Sequence, residues 1–352
     1  MAGKIEGQEG ITVFEPAAAQ GDATSTAGDA QHWRDIMRRL NRIERRGDMV
    51  AQMISGHPYQ LARGRFRPRL WTPEQYASRH LRVPPAYRLE KAPVDSPAIA
   101  IVTPSLNQGP LIGATINSVL EQNYPNLSYL VQDGGSRDET LGILESYGDK
   151  LSWRSERDSG QANAINRGFR AIEGDIMGYL NSDDVLLPGT LAYVAKAFQQ
   201  YPEVDIVYGH RIFINVDGFE IGRCVLPPHD AKTLQWADYV PQETLFWRRR
   251  VWESMAPFDE SFQYALDWDF ILRVQAAGFQ FLRLPRFLAC FRVHEQQKTI
   301  DIAEVGAAEM KRLRVRYLSE APGMYELRRA ISGYLRRQMG YHWMYRLGLL
   351  RY

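Results

Sequence analysis

The sequence predicts an α/β fold: a mostly parallel sheet with helices on both faces, extended by helical segments at both termini. Two observations predict it. Short apolar runs alternate with segments of helical spacing from Ala98 to Tyr208, the pattern of strands joined by crossover helices. Clusters rich in Asp, Asn and Gly then close the apolar runs one after another, which places polar side chains together at one edge of such a sheet.

The elements follow in order. Residues 1–30 are rich in Ala, Gly, Gln and Thr without an apolar period, so a disordered tail is expected. Residues 32–53 carry Trp33, Ile36, Met37, Leu40 and Ile43 at helical spacing, with arginines on the other face. Residues 64–97 hold six prolines and no strong period, as an extended wrapping segment would. The run 98–102 predicts a first strand, stopping at Thr103-Pro104. Leu111, Ile112, Ile116, Val119 and Leu120 predict a helix over 111–122. A second strand over 127–131 ends at Asp133-Gly134-Gly135, and a helix passes through Leu141 and Leu144. Strands are predicted at 151–154, 176–180 and 204–208, and helices at 161–172 and 190–200. Beyond Tyr208 the pattern loosens, and runs at 211–215 and 220–225 flank Asp217-Gly218, a hairpin turn. A helix over 262–277 and strands over 279–293 complete the domain. The organisation expected is a tail (1–30), a helical and extended segment (31–97), a catalytic domain (98–300) and a basic amphipathic extension (301–352).

Composition narrows the function. The 352 residues are 45% hydrophobic and 24% charged, with a formal net charge of +2, so no polycation for nucleic acid is indicated. Cys224 and Cys290 form no C-x-x-C pair, and a reducing cytoplasm suits them. The first thirty residues lack the pattern of a signal peptide, and no run approaches the roughly 20 apolar residues of a spanning helix. The glycine-rich dinucleotide fingerprint, the P-loop and the G-x-S-x-G elbow are all absent.

Four strands deliver polar side chains to one edge: Asn107 after the first, Asp133 after the second, Asp158 after the third, and Asp183-Asp184 after the fourth. Each cluster alone reads equally as a turn; four in succession point to a site. Adjacent carboxylates at Asp183-Asp184 are best tolerated beside a cation, and hard oxygen ligands suit Mg²⁺ or Mn²⁺. The competing reading has Ser182 or Asp183 capping a helix that begins near Pro188. Gly134-Gly135 permits close approach of a ligand. Asp267 is placed at a helix start, where a carboxylate also serves as a cap. His294, ending the last strand segment, is by itself more often structural.

In this order and spacing the motifs resemble the family 2 inverting glycosyltransferases, which have the GT-A fold. The resemblance covers residues 99–299. It is carried by Ile101-Val102-Thr103-Pro104-Ser105-Leu106-Asn107, by the stretch from Gln132 to Asp138, and by Ser155 to Ala162. Gly168, Gly174-Asp175, Tyr179 to Asp184 and Leu266-Asp267-Trp268-Asp269 continue it. It implies a nucleotide-sugar donor of UDP, GDP or dTDP type, held by Thr103, Pro104, Ser105, Asn107, Asp133, Asp158, Gln161, Asn181 and Asp183. Within that set Asp133 would hold the nucleobase and Asp183 the sugar or ribose. Asp184 would hold Mn²⁺ or Mg²⁺, with His294, in a His-x-x-x-x-Thr context, near the pyrophosphate and metal. Asp267 would be the base. The chain departs from the family at Leu266, where the residue before the base is usually acidic, and at Arg137 in place of Thr.

The implied reaction is one in-line displacement with inversion, delivering the sugar to a saccharide or lipid-linked acceptor in surface polysaccharide or glycoconjugate synthesis. A sugar-phosphate nucleotidyltransferase would need a basic, glycine-rich loop after the first strand, and residues 103–110 offer one glycine and no Lys or Arg. An inactive scaffold of the same fold would not need the five aspartates together. Finally, residues 311–352 carry ten Lys or Arg against Glu320 and Glu326, interleaved with Tyr334, Trp343, Leu347 and Leu349. That pattern suits an anionic membrane surface or docking on the catalytic domain or a second subunit.

Overall fold

The computed structural model describes residues 73–255, 257–294 and 302–352; the expectations for residues 1–72 lie outside them. Nine strands form one sheet in the order β3-β2-β1-β4-β8-β6-β9-β5, with β7 on β6. Its strands are β1 (Ile99–Ser105), β2 (Leu127–Asp133), β3 (Ser152–Ser155), β4 (Ile176–Tyr179), β5 (Val185–Leu186), β6 (Ile206–Ile214), β7 (Glu220–Cys224), β8 (Phe246–Arg248) and β9 (Phe281–Arg292). The first four are mutually parallel. β6 and β9 are parallel as well, while β8, β7 and β5 join antiparallel.

The helices are α1 (Gly109–Leu120), α2 (Thr140–Ser146), α3 (Gln161–Ala171), α4 (Thr190–Gln200), α5 (Ala231–Leu234), α6 (Arg249–Ser254), α7 (Leu266–Ala276), α8 (Ala303–Leu318) and α9 (Met324–Arg346). Every residue of β1 is buried, as expected of a central parallel strand covered on both faces. Its side chains alternate: Ile99 and Ile101 join Ile112, Ile116, Leu191 and Val194 on one face. Ala100 and Val102 join Ile165, Phe169, Phe270 and Ile271 on the other.

The predicted elements are present, with four differences. β6 and β9 are longer than expected, because Asp217-Gly218 turns β6 directly into β7 and β9 pairs along its length with β6. β8 was not legible: three residues of Phe-Trp-Arg are too short to show a period. The helix expected from 262 begins at Leu266. The capping role considered for Ser182 or Asp183 is overturned, since α4 starts at Thr190 behind Gly189 and Val185–Leu186 forms a strand.

The C-terminal helices pack on the sheet. Met310, Leu313, Leu327, Ile331, Tyr334 and Leu335 belong to the same apolar core as Phe270 and Trp247. Arg337 of α9 pairs with Asp230, and Tyr345 accepts a hydrogen bond from Arg223 at 2.5 Å. Residues 73–79 run along β7, where Gln75 N–H donates to the Ile221 carbonyl (2.8 Å) and Arg79 pairs with buried Glu220 (2.6 Å). This covers a sheet edge that would otherwise stand open.

Candidate active site

The carboxyl ends of β1, β3 and β4 open onto a cleft of about 720 Å³, where ligands of open α/β sheets bind. Of the residues singled out in the sequence, Pro104, Ser105, Asp158, Gln161, Asn181, Asp183 and Asp267 line it. Thr103, Asn107, Asp133, Asp184 and His294 lie outside that lining, each for a local reason.

Thr103 points into the sheet interior, where its hydroxyl meets Tyr129 Oη at 3.1 Å. Asn107 adopts φ 53° and accepts the Arg137 N–H at 2.9 Å. Asp133 is fully buried. Its carboxylate accepts from Gly135 N–H (2.9 Å), Ser136 N–H (2.8 Å), Ser136 Oγ (2.5 Å) and Ser155 Oγ (2.7 Å). Asp133 therefore ties the Gly-Gly turn to β3. Gly134 lets the Asp158 carboxylate come close, since a Cβ there would stand 2.6 Å from its Oδ2.

The acidic pair divides. Asp184 turns inward, where Oδ1 accepts the Arg292 N–H at 2.9 Å and fastens the end of β9. Burial first, and Asp183 beside it, push its carboxyl well above the ordinary carboxylate range. Asp183 turns outward to the cleft, and its Oδ2 stands 3.0 Å from His294 Nε2. Asp183, not Asp184, therefore faces the cleft. The two residues sit in the turn before β5, where Asp184 N–H donates to the Asn181 carbonyl at 3.1 Å.

On the cleft floor an amide chain runs from Gln161 Nε2 to Asn181 Oδ1 (2.7 Å), and from Asn181 Nδ2 to Gln242 Oε1 (3.0 Å). It ends from Gln242 Nε2 on the Tyr179 carbonyl (2.8 Å). Ser105 Oγ is buried at its side without a partner among the described residues. Such an orphaned hydroxyl is what a polar ligand would satisfy.

Asp267 stands in the first turn of α7, and Trp268 N–H donates to its Oδ1 at 2.9 Å. Loss of hydration among the cleft walls dominates over that hydrogen bond, and the carboxyl rises to about 6. Asp238 shares the cleft; desolvation, then Asp267, push it well above the carboxylate range. Behind them Arg211 forms a two-point pair with Glu243, at 2.7 and 2.5 Å. Asp269 is completely buried between Arg273 and Arg316, each 2.7 Å away, and serves structure. Sequence reading missed Arg211, Asp238, Gln242 and Glu243. The signal available was the polar group Gln242-Glu243-Thr244 directly before the apolar run Leu245-Phe246-Trp247.

A parallel half-sheet ending in a polar cleft, with a mixed half supplying further lining residues, is the architecture expected of the GT-A fold. Comparison with known proteins agrees with that resemblance: residues 100–258 match the model of glycosyl transferase family 2. The chain is 28% identical over 183 residues to a PGL/p-HBAD biosynthesis glycosyltransferase of Mycobacterium bovis, covering 51% of this chain and 70% of the relative. An uncharacterized glycosyltransferase of Rickettsia prowazekii is 27% identical over 221 residues, covering 59% and 68%. The fold is similar to that of S. aureus TarS residues 1–349 in complex with UDP-GlcNAc. That likeness has a TM-score of 0.53 at 19% identity, over 69% of this chain and 73% of that one.

Proposed function

We propose that this chain transfers a sugar from a nucleotide diphosphate-sugar to an acceptor hydroxyl, with inversion, in the synthesis of a glycoconjugate or surface polysaccharide. The observation that carries this reading is Asp267, a carboxylate of raised proton affinity that faces the same cleft as Asp183, which His294 backs at 3.0 Å. A base poised near neutral pH is what abstraction of a hydroxyl proton requires.

The donor half is the Ser105, Asp158, Gln161, Asn181 and Asp183 side of the cleft. Among the described residues no three His, Cys, Asp or Glu side chains could hold a metal by themselves. A carboxylate and an imidazole 3.0 Å apart nonetheless fit Mn²⁺ or Mg²⁺ when diphosphate oxygens and water complete the shell. Asp183 and His294 would hold that ion, which neutralises charge on the leaving diphosphate. Asp267 takes the acceptor proton as the acceptor oxygen attacks the anomeric carbon. Tyr239, Val240, Tyr264, Phe291, Ile302 and Met310 form the opposite wall, which suits an acceptor with an apolar part, such as a lipid-linked saccharide. The M. bovis relative's name, which places it in PGL/p-HBAD biosynthesis, is in keeping with such an acceptor. Neither the nucleotidyltransferase nor the inactive-scaffold reading accounts for Asp267 in that place.

Calorimetric titration of UDP, GDP and dTDP tests the donor and metal assignments together. One nucleotide is expected to bind with Mn²⁺ and to lose tenfold or more in affinity with EDTA or in His294→Ala. Equal affinity under all three conditions would remove the metal from the account.

A further inference from the structure

Helix α8 lies beyond the stretch that matches the family, yet it reaches the acceptor wall, where Ile302 and Met310 line the cleft. Next to Met310, Glu309 is buried and directs its carboxylate at the turn that leads into α7. One oxygen accepts Gln263 N–H at 2.7 Å, and the other accepts Tyr264 N–H and Ala265 N–H at 2.9 Å each. These three residues end two positions before Asp267. The N-cap of α7 is Ala265, whose side chain offers no acceptor, so the charge that a helix start favours comes from a different helix. Charge-assisted bonds of this kind are short and directional. The contact is reinforced on both sides. Gly306 lies so close beneath the Tyr264 ring that a Cβ would approach it to 2.8 Å, and Arg316 reaches Asp269 at 2.7 Å.

We propose that Glu309 is the positioning residue for Asp267: by gathering the N–H groups of residues 263–265 it fixes where α7 begins, and so where the Asp267 carboxylate stands against the acceptor. The C-terminal extension is then a working part of the site. The inference rests on Asp267 being the base, and its test separates the two.

The full-length protein is assayed with Mn²⁺ for donor hydrolysis, read as UDP release from UDP-GlcNAc or GDP release from GDP-mannose, whichever the wild type turns over. Water then stands in for the acceptor. Glu309→Gln keeps the shape but sets an amide NH₂ against N–H donors. It is expected to lower kcat tenfold or more while donor KM and nucleotide Kd stay within twofold and circular dichroism stays native. Asp267→Asn, run in parallel, is expected to be inactive with nucleotide Kd unchanged. Wild-type kcat in Glu309→Gln beside an inactive Asp267→Asn overturns the positioning role. So does a loss of donor affinity in proportion to kcat, which a merely structural brace would give. Wild-type turnover in Asp267→Asn overturns the base assignment instead. If Glu309→Gln does not fold, Gly306→Ala, whose Cβ presses on Tyr264, carries the test. Lowered kcat at unchanged Kd supports the proposal, and wild-type kcat contradicts it.

Discussion

Asp267 owes its character to the walls around it. Desolvation lifts it to about 6 from an ordinary 3.8, against the opposing pull of the Trp268 N–H. A base with that value works only when ionised, so turnover should fall as pH drops through about 6. A pH profile of kcat/KM with its acid limb near 4 would show an unperturbed carboxylate. The same shift has a stability consequence. Because the folded-state pKa lies above the unfolded one, the native state carries a penalty that is full above about pH 6 and gone below about pH 4. Asp267→Asn should therefore be more stable than wild type by about 1–2 kcal/mol at pH 7.5, given roughly 1.4 kcal/mol per pKa unit and partial exposure. Thermal melts at pH 7.5 and pH 4 measure it, and a gain that persists at pH 4 would have another cause. At this scale a sequence shows which residue types gather but not the directions their side chains take. Asp183 and Asp184 are indistinguishable in a string, yet one faces His294 and the other the Arg292 backbone. Asp133, expected at the nucleobase, also anchors the turn that follows it through Ser136 and Ser155.

Elements were more legible, since apolar spacing is a long-range average that survives local exceptions. β1 to β4 and α1 to α4 follow from it directly. The exceptions come from contacts that spacing does not encode. Phe262 to Ala265 continues the helical period of α7, but Glu309 holds it as a turn. Close approaches also leave a trace, since Gly174 permits the chain to pass β1. A Cβ there would stand 2.5 Å from Ala100 N, an approach that backbone atoms cannot relieve. Gly174→Ala should cost about 1–3 kcal/mol by overpacking; a denaturation midpoint equal to wild type would contradict the packing. At the C-terminus, Leu335 of α9 is buried in the core beside Tyr334 and Tyr239. Leu335→Ala should cost about 2–5 kcal/mol, measured by urea unfolding, whereas a tail merely resting on the surface would lose almost nothing.

At the scale of the molecule, the parallel half of the sheet lines the side of the cleft proposed for the donor, and the mixed half, with α8, lines the wall proposed for the acceptor. The basic C-terminal segment uses its apolar face for docking on the sheet. Its opposite side keeps Trp343, Leu347 and Leu349 exposed near Arg346 and Arg351, a combination that suits an anionic bilayer surface. No helix among the described residues is long and apolar enough to cross a membrane. Full-length protein should float with anionic but not neutral vesicles at low salt, and Trp343→Ala with Leu347→Ala should stay at the bottom; no flotation with anionic vesicles would leave the segment purely structural. Sequence patterning showed the charge and the aromatics but could not choose between membrane and protein, because either partner accepts the same amphipathic face. The central claim is that one cleft binds the donor and places Asp267 to receive the acceptor proton. The most direct measurement compares wild type with Asp267→Asn for donor turnover and for nucleotide affinity on the same preparations. The account predicts turnover lower by about a hundredfold or more, the usual scale of a general base, at unchanged affinity. Wild-type turnover in Asp267→Asn would contradict it.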